Sequence, residues 1–586
     1  MRRILPALIS ILLAACGGSS GAPDDAPDLP QVARSPMGVV SAAQPLAARA
    51  GAEMLELGGN AVDAAVSAAF TLAVVEPTMS GLGGRTQILI RMPDGRHVGI
   101  DGTTQAPATY DPDTAPDADY GYGVIGVPGT PAALFKAHAE YGTLPRSTVL
   151  AEAIRLAEDG YPVLPREAAR RAAVADELAE FEGSRAAFLG SDGAPVGAGE
   201  LFRQPELART LRTLEAEGPD AFYQGSLAEA MAADIQAHGG HVTLESLAAY
   251  EAVDSRIVTG DYRGHDVVGL WLPSYGAIAI EILNLLESVD AGVLSEDAWA
   301  LALSEAIRIG YLDRSAQEDW DDALRLTSEE WADERDDLMR LEEAVASGSG
   351  AAMAGVGGGS STGAPAIVAG APPEGGNPAA QPPAWIEPGH TTHLTAADGE
   401  GMVVALTQSL GPNMGSRVVT PGLGFLYAST LGGYLGRMEP GERARSHISP
   451  FMVERDGEPL LALGAAGGGR IPTAIVAVVS RVLDRGMSLE EALAAPRVVP
   501  GSGPARTTPD PDAARDAELE EVPGMGFGDG TAEYFRRHGY TVEMVDRVGA
   551  FGRVHAVRWH PEEGVWEGVA DPDWEGAAVI PRGDVR

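Results

Sequence analysis

The chain reads as a layered protein of mixed helices and strands, of the α/β or α+β class. Helical stretches interleave with strand-like runs that close in hairpin turns. At 586 residues the chain exceeds the usual ceiling for one hydrophobic core, so two core-forming units or one large layered domain are expected. Its hydrophobic share of 45% is ordinary for a globular protein.

At the N-terminus, Arg2 and Arg3 precede an apolar run from Ile4 to Ala15. The run is too short to span a bilayer and reads as a secretory signal over residues 1–15. Leu13-Ala14-Ala15-Cys16 looks like a bacterial lipobox, which implies cleavage before Cys16, acylation of its thiol and export to the membrane face. An ordinary signal with a stray cysteine is the plainer alternative. Gly17-Gly18 behind the cysteine resembles an outer-membrane sorting pattern, placing the protein at the outer membrane or periplasmic face. Residues 16–35, rich in Gly, Ser, Pro and Asp, read as a flexible tether. Gly17-Gly18-Ser19-Ser20-Gly21 matches a nucleophile elbow by letter, but no strand precedes it and no helix follows it.

Globular patterning begins near Val39. Gln44 to Leu57 has helical periodicity and stops at Gly58-Gly59. Asn60 can cap a second helix running toward Val75, which is apolar almost all round and so belongs in the interior. Gln87–Met92 and His97–Ile100 read as strands joined at Pro93-Asp94-Gly95. Helices are expected at Thr130–Tyr141, Thr148–Asp159, Pro205–Glu217, Ser226–His238, Ile278–Glu287 and Asp297–Asp313.

Net charge is −41, and a surface this acidic repels a phosphate backbone, which argues against nucleic acid. Cys16 is the sole cysteine, so no intramolecular disulfide and no cysteine-rich metal site can form. Asp111, Asp113, Asp117 and Asp119 invite a calcium reading, but Glu is missing at the closing EF-hand position. Neither a metal nor a cofactor is expected.

Residues 346–388 form a low-complexity stretch dominated by Gly, Ala, Pro and Ser, expected to be mobile. Pro388-Gly389-His390-Thr391-Thr392-His393-Leu394-Thr395 follows it. A hydroxyl residue there can attack the carbonyl before it, cut the chain and emerge as a new N-terminus. A Thr with a free α-amine carries nucleophile and base on one residue, the logic of N-terminal-nucleophile (Ntn) hydrolases. His393–Ala397 and Met402–Ser409 read as a hairpin around Asp398-Gly399-Glu400-Gly401. A three-residue loop with Gly401 left-handed puts Ser409 opposite Thr391, and a four-residue loop puts Gln408 there. His393 reads as a structural histidine rather than a base. Gly464-Ala465-Ala466-Gly467-Gly468-Gly469-Arg470 enters a helix over Ile471–Val482, where backbone N–H groups can hold an oxyanion.

These residues resemble the gamma-glutamyltranspeptidase family, also called glutathione hydrolases. Gly51-Ala52-Glu53-Met54-Leu55 with Gly58-Gly59-Asn60-Ala61-Val62-Asp63-Ala64-Ala65, and Val75-Glu76-Pro77-Thr78-Met79-Ser80-Gly81-Leu82-Gly83-Gly84, resemble its first signatures. Gly126-Val127-Pro128-Gly129, Ala153-Ile154-Arg155-Leu156-Ala157, Thr391-Thr392-His393, Ser446-His447-Ile448-Ser449-Pro450 and Ala570-Asp571-Pro572 follow in the family's order. The resemblance implies a four-layer αββα sandwich and self-cleavage between His390 and Thr391. A large-subunit region (36–390) and a small-subunit region (391–586) then stay associated. By position, Thr391 is the nucleophile, Ser409 the hydroxyl that assists it, and Gly467 and Gly468 the oxyanion donors.

The substrate-binding positions depart from the family. Thr103 stands where an Arg pairs the substrate α-carboxylate, and Gly411 where an Asn is usual. Thr430 replaces an acidic or amide side chain, Gly433 an Asp that holds the α-ammonium, and His447 the second of two serines beginning at Ser446. The departures suggest room for a larger or less charged acyl group. A second reading keeps a gamma-glutamyl substrate, with Arg85, Arg417 or Arg470 supplying the carboxylate contact. A third is a catalytically inactive surface lipoprotein scaffold of the same fold.

Overall fold

A computed structural model of the chain describes residues 29–339, 341, 390–501, 513–521, 527–546 and 551–582. The signal sequence, Cys16, residues 16–28 of the tether and the 346–388 stretch lie outside the described residues.

Two seven-stranded antiparallel sheets lie face to face. The first runs in the order Ala577–Val579, Gly38–Ala42, Thr391–Asp398, Val403–Ser409, Arg85–Arg91, His97–Gly102, Val253–Ser255. The second runs Val32–Ser35, Val565–Ala570, Arg553–His560, Glu458–Ala466, Phe451–Arg455, His265–Leu270, Ile257–Tyr262. Between them pack Val39, Leu89, Ala397, Val403 and Ala405 from one sheet against Val268, Met452, Ala462 and Val557 from the other. Helices Pro45–Glu56, Ala61–Val75, Thr130–Tyr141 and Arg146–Asp159 cover the outer face of the first sheet. Gly276–Leu286, Glu296–Asp313 and Ile471–Leu483 cover the second. The result is the αββα sandwich, an α+β fold of four layers.

Local sequence explains the central elements. Every residue of Ala61–Val75 is buried, as its nearly unbroken apolar composition requires. Asn60 starts that helix with a capping box, its side chain accepting from the N–H groups of Val62 and Asp63 while Asp63 returns a bond. The Arg85–Arg91 and His97–Gly102 hairpin forms where expected but begins two residues earlier, at Arg85. The tether, expected to run to residue 35, gives way to a strand at Val32. That strand pairs with Val565–Ala570 from the far end of the chain, so no local pattern announces it.

Strand alternation decides what reaches the space between the sheets. Leu394 and Ala396 belong to the helix-side core and Ala397 to the inter-sheet core. Thr391, His393 and Thr395 therefore face the second sheet. By the same alternation Ser409, Thr407 and Arg85 face it too, since Ala405 and Leu89 do. The inter-sheet layer is apolar at one end and turns polar toward Thr391.

Candidate active site

Gly401 adopts φ +89°, the left-handed conformation that the short hairpin loop requires. The register follows: Thr391 lies opposite Ser409, and Gln408 opposite Thr392. The Thr391 hydroxyl donates to Ser409 Oγ at 3.1 Å, and Gly411 N–H donates to the same oxygen at 2.9 Å. Ser409 in turn donates to the carbonyl oxygen of His390 at 3.2 Å. One hydroxyl thus touches both the group that would attack and the carbonyl that would be attacked. Both side chains are buried, in a water-poor setting that strengthens such contacts. On the other flank, Gly38–Ala42 pairs only from Leu394 onward, so no strand among the described residues covers Thr391 to His393 there.

The second sheet brings the strand that leads into the glycine loop against His393. A Cβ on Gly464 would lie 2.3 Å from the His393 ring, so the two strands approach too closely there for any side chain. Ala466 pairs with Arg553, and Gly467 and Gly468 follow it in the chain. A tight turn over Gly468–Arg470 then feeds helix Ile471–Leu483, one residue longer than expected. The Tyr311 hydroxyl donates to the Gly469 carbonyl and pins the loop. His393 meets Thr407 Oγ1 at 2.8 Å and Thr395 Oγ1 at 2.9 Å, and burial pushes its imidazole well below the usual range. It is a neutral structural histidine.

Around the His390–Thr391 bond sits a cluster that sequence reasoning missed. The Trp574 ring lies between two guanidinium groups, Arg170 at 3.8 Å and Arg553 at 3.7 Å. Its indole N–H donates to Glu76 at 3.3 Å. Burial pushes the Glu76 carboxyl up to about 7, against the opposing pull of the Thr392 hydroxyl, Arg170 and Arg553 and with the help of Glu167. Enclosure and the charges of Arg170, Arg553 and Arg417 hold the His390 imidazole well below its ordinary value.

The Glu76 shift has a consequence for stability. Between about pH 4.5 and pH 7 the folded chain keeps this proton and the unfolded chain loses it, so stability falls as pH rises across that window and stays lower above it. Glu76→Gln keeps an acceptor for Trp574 and removes the penalty. Its melting temperature is expected to match wild type near pH 4.5 and to exceed it at pH 8. Parallel melting curves from pH 4.5 to 8 would exclude this account.

The expected substrate-binding residues divide. Arg85 and Gly411 are brought to the Thr391–Ser409 pair, Arg85 being the direct cross-strand neighbour of Ser409. The Thr103 hydroxyl is spent on Asp101 at 2.7 Å, and that of Thr430 on Thr104 at 2.9 Å. Gly433 lies exposed, with the place of its missing side chain 3.1 Å from an Asp119 carboxylate oxygen. Ser446 is half-buried, and His447 is stacked on Tyr275 with ring centres 4.7 Å apart while Arg314 donates to its Nε2 at 3.2 Å. Arg417 is paired with Glu177 at 2.7 Å and Arg470 with Glu518, so neither is the spare cation of the second reading.

Known proteins resemble this chain along most of its length. The gamma-glutamyltranspeptidase family model matches residues 47–580. The chain is 31% identical to a glutathione hydrolase proenzyme of Escherichia coli (strain K12), over 85% of this chain and 87% of that protein. It is 34% identical to the acylase ACY 1 proenzyme of Pseudomonas sp. (strain V22), over 90% of each. The crystal structure of a cephalosporin acylase from Bacillus halodurans superposes with a TM-score of 0.79 at 27% identity, covering 95% of this chain and 98% of that one.

Proposed function

The chain belongs to the gamma-glutamyltranspeptidase family, and from that premise we propose that it is an exported Ntn-hydrolase that cuts itself between His390 and Thr391 and then cleaves acyl amides through an ester on Thr391. The observation that carries this is the Ser409 hydroxyl, which accepts from Thr391 Oγ1 and donates to the His390 carbonyl.

In the uncut chain, Thr391 Oγ attacks the His390 carbonyl carbon and its proton leaves toward Ser409. Ser409 supports the charge that grows on the carbonyl oxygen. The C–N bond breaks, the Thr391 nitrogen takes a proton, and an ester joins His390 to the Thr391 oxygen. Water hydrolyses that ester, releasing the His390 carboxylate and the Thr391 hydroxyl beside the α-amine that C–N cleavage has freed. An amine of this kind has a pKa near about 8, so a useful fraction is neutral near pH 7 and can take the hydroxyl proton. Attack on a substrate amide then forms a tetrahedral oxyanion facing the N–H groups of Gly467 and Gly468. Collapse expels the amine with the proton, and water or an acceptor amine releases the acyl group from Thr391. No step calls for a metal or cofactor.

Mass analysis of the protein expressed in bacteria tests the reading. Two associated pieces are expected, one beginning at Thr391 and carrying an added acyl mass after a brief exposure to an acyl anilide. The other should begin at a diacylglyceryl-modified Cys16, because Leu13-Ala14-Ala15-Cys16 reads as a lipobox. A single uncut chain without acyl uptake would favour the inactive scaffold instead.

A further inference from the structure

Two hydrogen bonds in series lead from a tyrosine into the glycine loop. The Tyr311 hydroxyl donates to the carbonyl oxygen of Gly469. At the other end of that same peptide unit, the Arg470 N–H donates to the Gly467 carbonyl at 3.0 Å. The peptide between residues 469 and 470 is thus held at its oxygen by Tyr311 and at its nitrogen by Gly467. The Gly467 carbonyl shares a rigid plane with the Gly468 N–H, so whatever fixes the one aims the other. Gly468 sits at φ +56° and has no Cβ to restrict the turn, which leaves the direction of its N–H to such bonds. Hydrogen bonds in series also polarise one another, so the Tyr311 proton strengthens the Gly468 N–H as a donor.

Tyr311 is itself locked in place. It lies near the end of helix Glu296–Asp313 and is 3% exposed. The His447 ring stacks on it, with centres 6.0 Å apart and planes 17° apart, and Tyr275 stacks on His447. The Arg314 guanidinium lies 5.3 Å from the centre of the Tyr311 ring and also donates to His447, so the stack closes on itself. All four side chains are buried. A ring held this way carries its hydroxyl in one position, as a group that supports a reaction centre must. Tyr311 belongs to the large-subunit region and the glycine loop to the small-subunit region, so this support crosses between the two pieces of the proposed cut.

We propose that Tyr311 is a positioning residue that aims the Gly468 N–H at the oxyanion formed during acyl transfer, and that self-cleavage does not depend on it. The proposal rests on the reading of Thr391 as nucleophile and of Gly467 and Gly468 as oxyanion donors. The two reactions of Thr391 then draw on different supports. In self-cleavage the Ser409 hydroxyl donates to the His390 carbonyl oxygen that takes up the charge. In turnover the glycine N–H groups take that part, and Tyr311 directs them through two peptide units without acting on the substrate.

The test compares the full chain with Tyr311→Phe, which keeps the ring, its stack on His447 and its contact with Arg314 and removes only the oxygen. Self-cleavage, followed by gel and mass, should run at the wild-type rate, which also reports that the variant has folded. In the cleaved enzyme, kcat for an acyl anilide should fall by about 10- to 100-fold with KM unchanged, the scale of a misaimed rather than a deleted donor. A boronic acid carrying the same acyl chain supplies a second readout. The Thr391 oxygen adds to boron, its proton passes to the α-amine, and the tetrahedral adduct mimics the oxyanion. Its affinity should fall in step with kcat, while the matching free carboxylic acid binds both proteins equally. An unchanged kcat in Tyr311→Phe, beside wild type that cuts itself and takes up the acyl group, sinks the Tyr311 assignment alone. A fall carried by KM, or a variant that no longer cuts itself, would also overturn it, by placing the tyrosine with the substrate or with the nucleophile. Wild type that neither cuts itself nor takes up the acyl group sinks the Thr391 reading, and this proposal with it.

Discussion

Thr391→Ala is expected to leave one uncut chain and to lower amidase activity by about 10⁴-fold or more, the scale seen when an enzyme loses its nucleophile. The substitution removes the atom that attacks in both reactions. It also removes the event that frees the α-amine, so the base is lost with the nucleophile. The fold should survive. Among the described residues Thr391 makes one side-chain hydrogen bond, to Ser409, and its loss costs about 1 kcal/mol. Thr391→Ser keeps the oxygen and is expected to cut itself, more slowly, and to retain measurable turnover. Ser409→Ala keeps the nucleophile but strips the His390 carbonyl of its donor, and self-cleavage should slow by about 10²- to 10³-fold. A gel and mass time course separates the three variants. Thr391→Ala cut at the same bond would end the case for Thr391.

The hairpin carrying this site was legible in the sequence because its signals are local. Asp398-Gly399-Glu400-Gly401 marks the turn, and only the loop length was open between Ser409 and Gln408. The conformation of Gly401 settles it in favour of Ser409. The four layers were expected from the family resemblance, while local signals alone left the class open between α/β and α+β. What stayed hidden depends on contacts between distant residues. Glu76, Arg170, Arg553 and Trp574 converge beside Thr392 from four separate elements, and none carries a spacing that betrays the meeting. Thr103 and Thr430 were expected at the substrate by position alone, yet Asp101 and Thr104 take their hydroxyls. The departures at the substrate positions together suggested room for a larger acyl group, because sequence cannot tell that an arginine on the neighbouring strand lies where a side chain at 411 would go.

Asp571→Ala is expected to destabilise the protein by about 3–5 kcal/mol, the cost of leaving a buried charge without its partner. Asp571 has no exposure, and its Oδ2 accepts from Arg497 Nη2 at 2.9 Å and from Val554 N–H at 2.9 Å. Arg497, also buried, donates through Nη1 to the Gly552 carbonyl at 2.8 Å. Gly552 in turn packs against Gly467, where an added Cβ would lie 2.7 Å from its Cα. The ion pair therefore reaches the proposed oxyanion loop through one carbonyl and one glycine contact. A loss of this size is a large part of the roughly 5–15 kcal/mol that holds a folded domain together. Where folded protein survives, kcat should fall more than KM rises, because a displaced loop weakens transition-state binding more than substrate binding. Asp571→Asn keeps the acceptor for Val554 and should lose less. Replacing both partners by apolar residues, Arg497→Met with Asp571→Leu, should recover much of the stability without restoring kcat, because the tie to Gly552 stays broken. Chemical denaturation of the two single variants and the double variant measures the coupling. A single Asp571→Ala change within about 1 kcal/mol of wild type would show that the loop is held by something other than this pair.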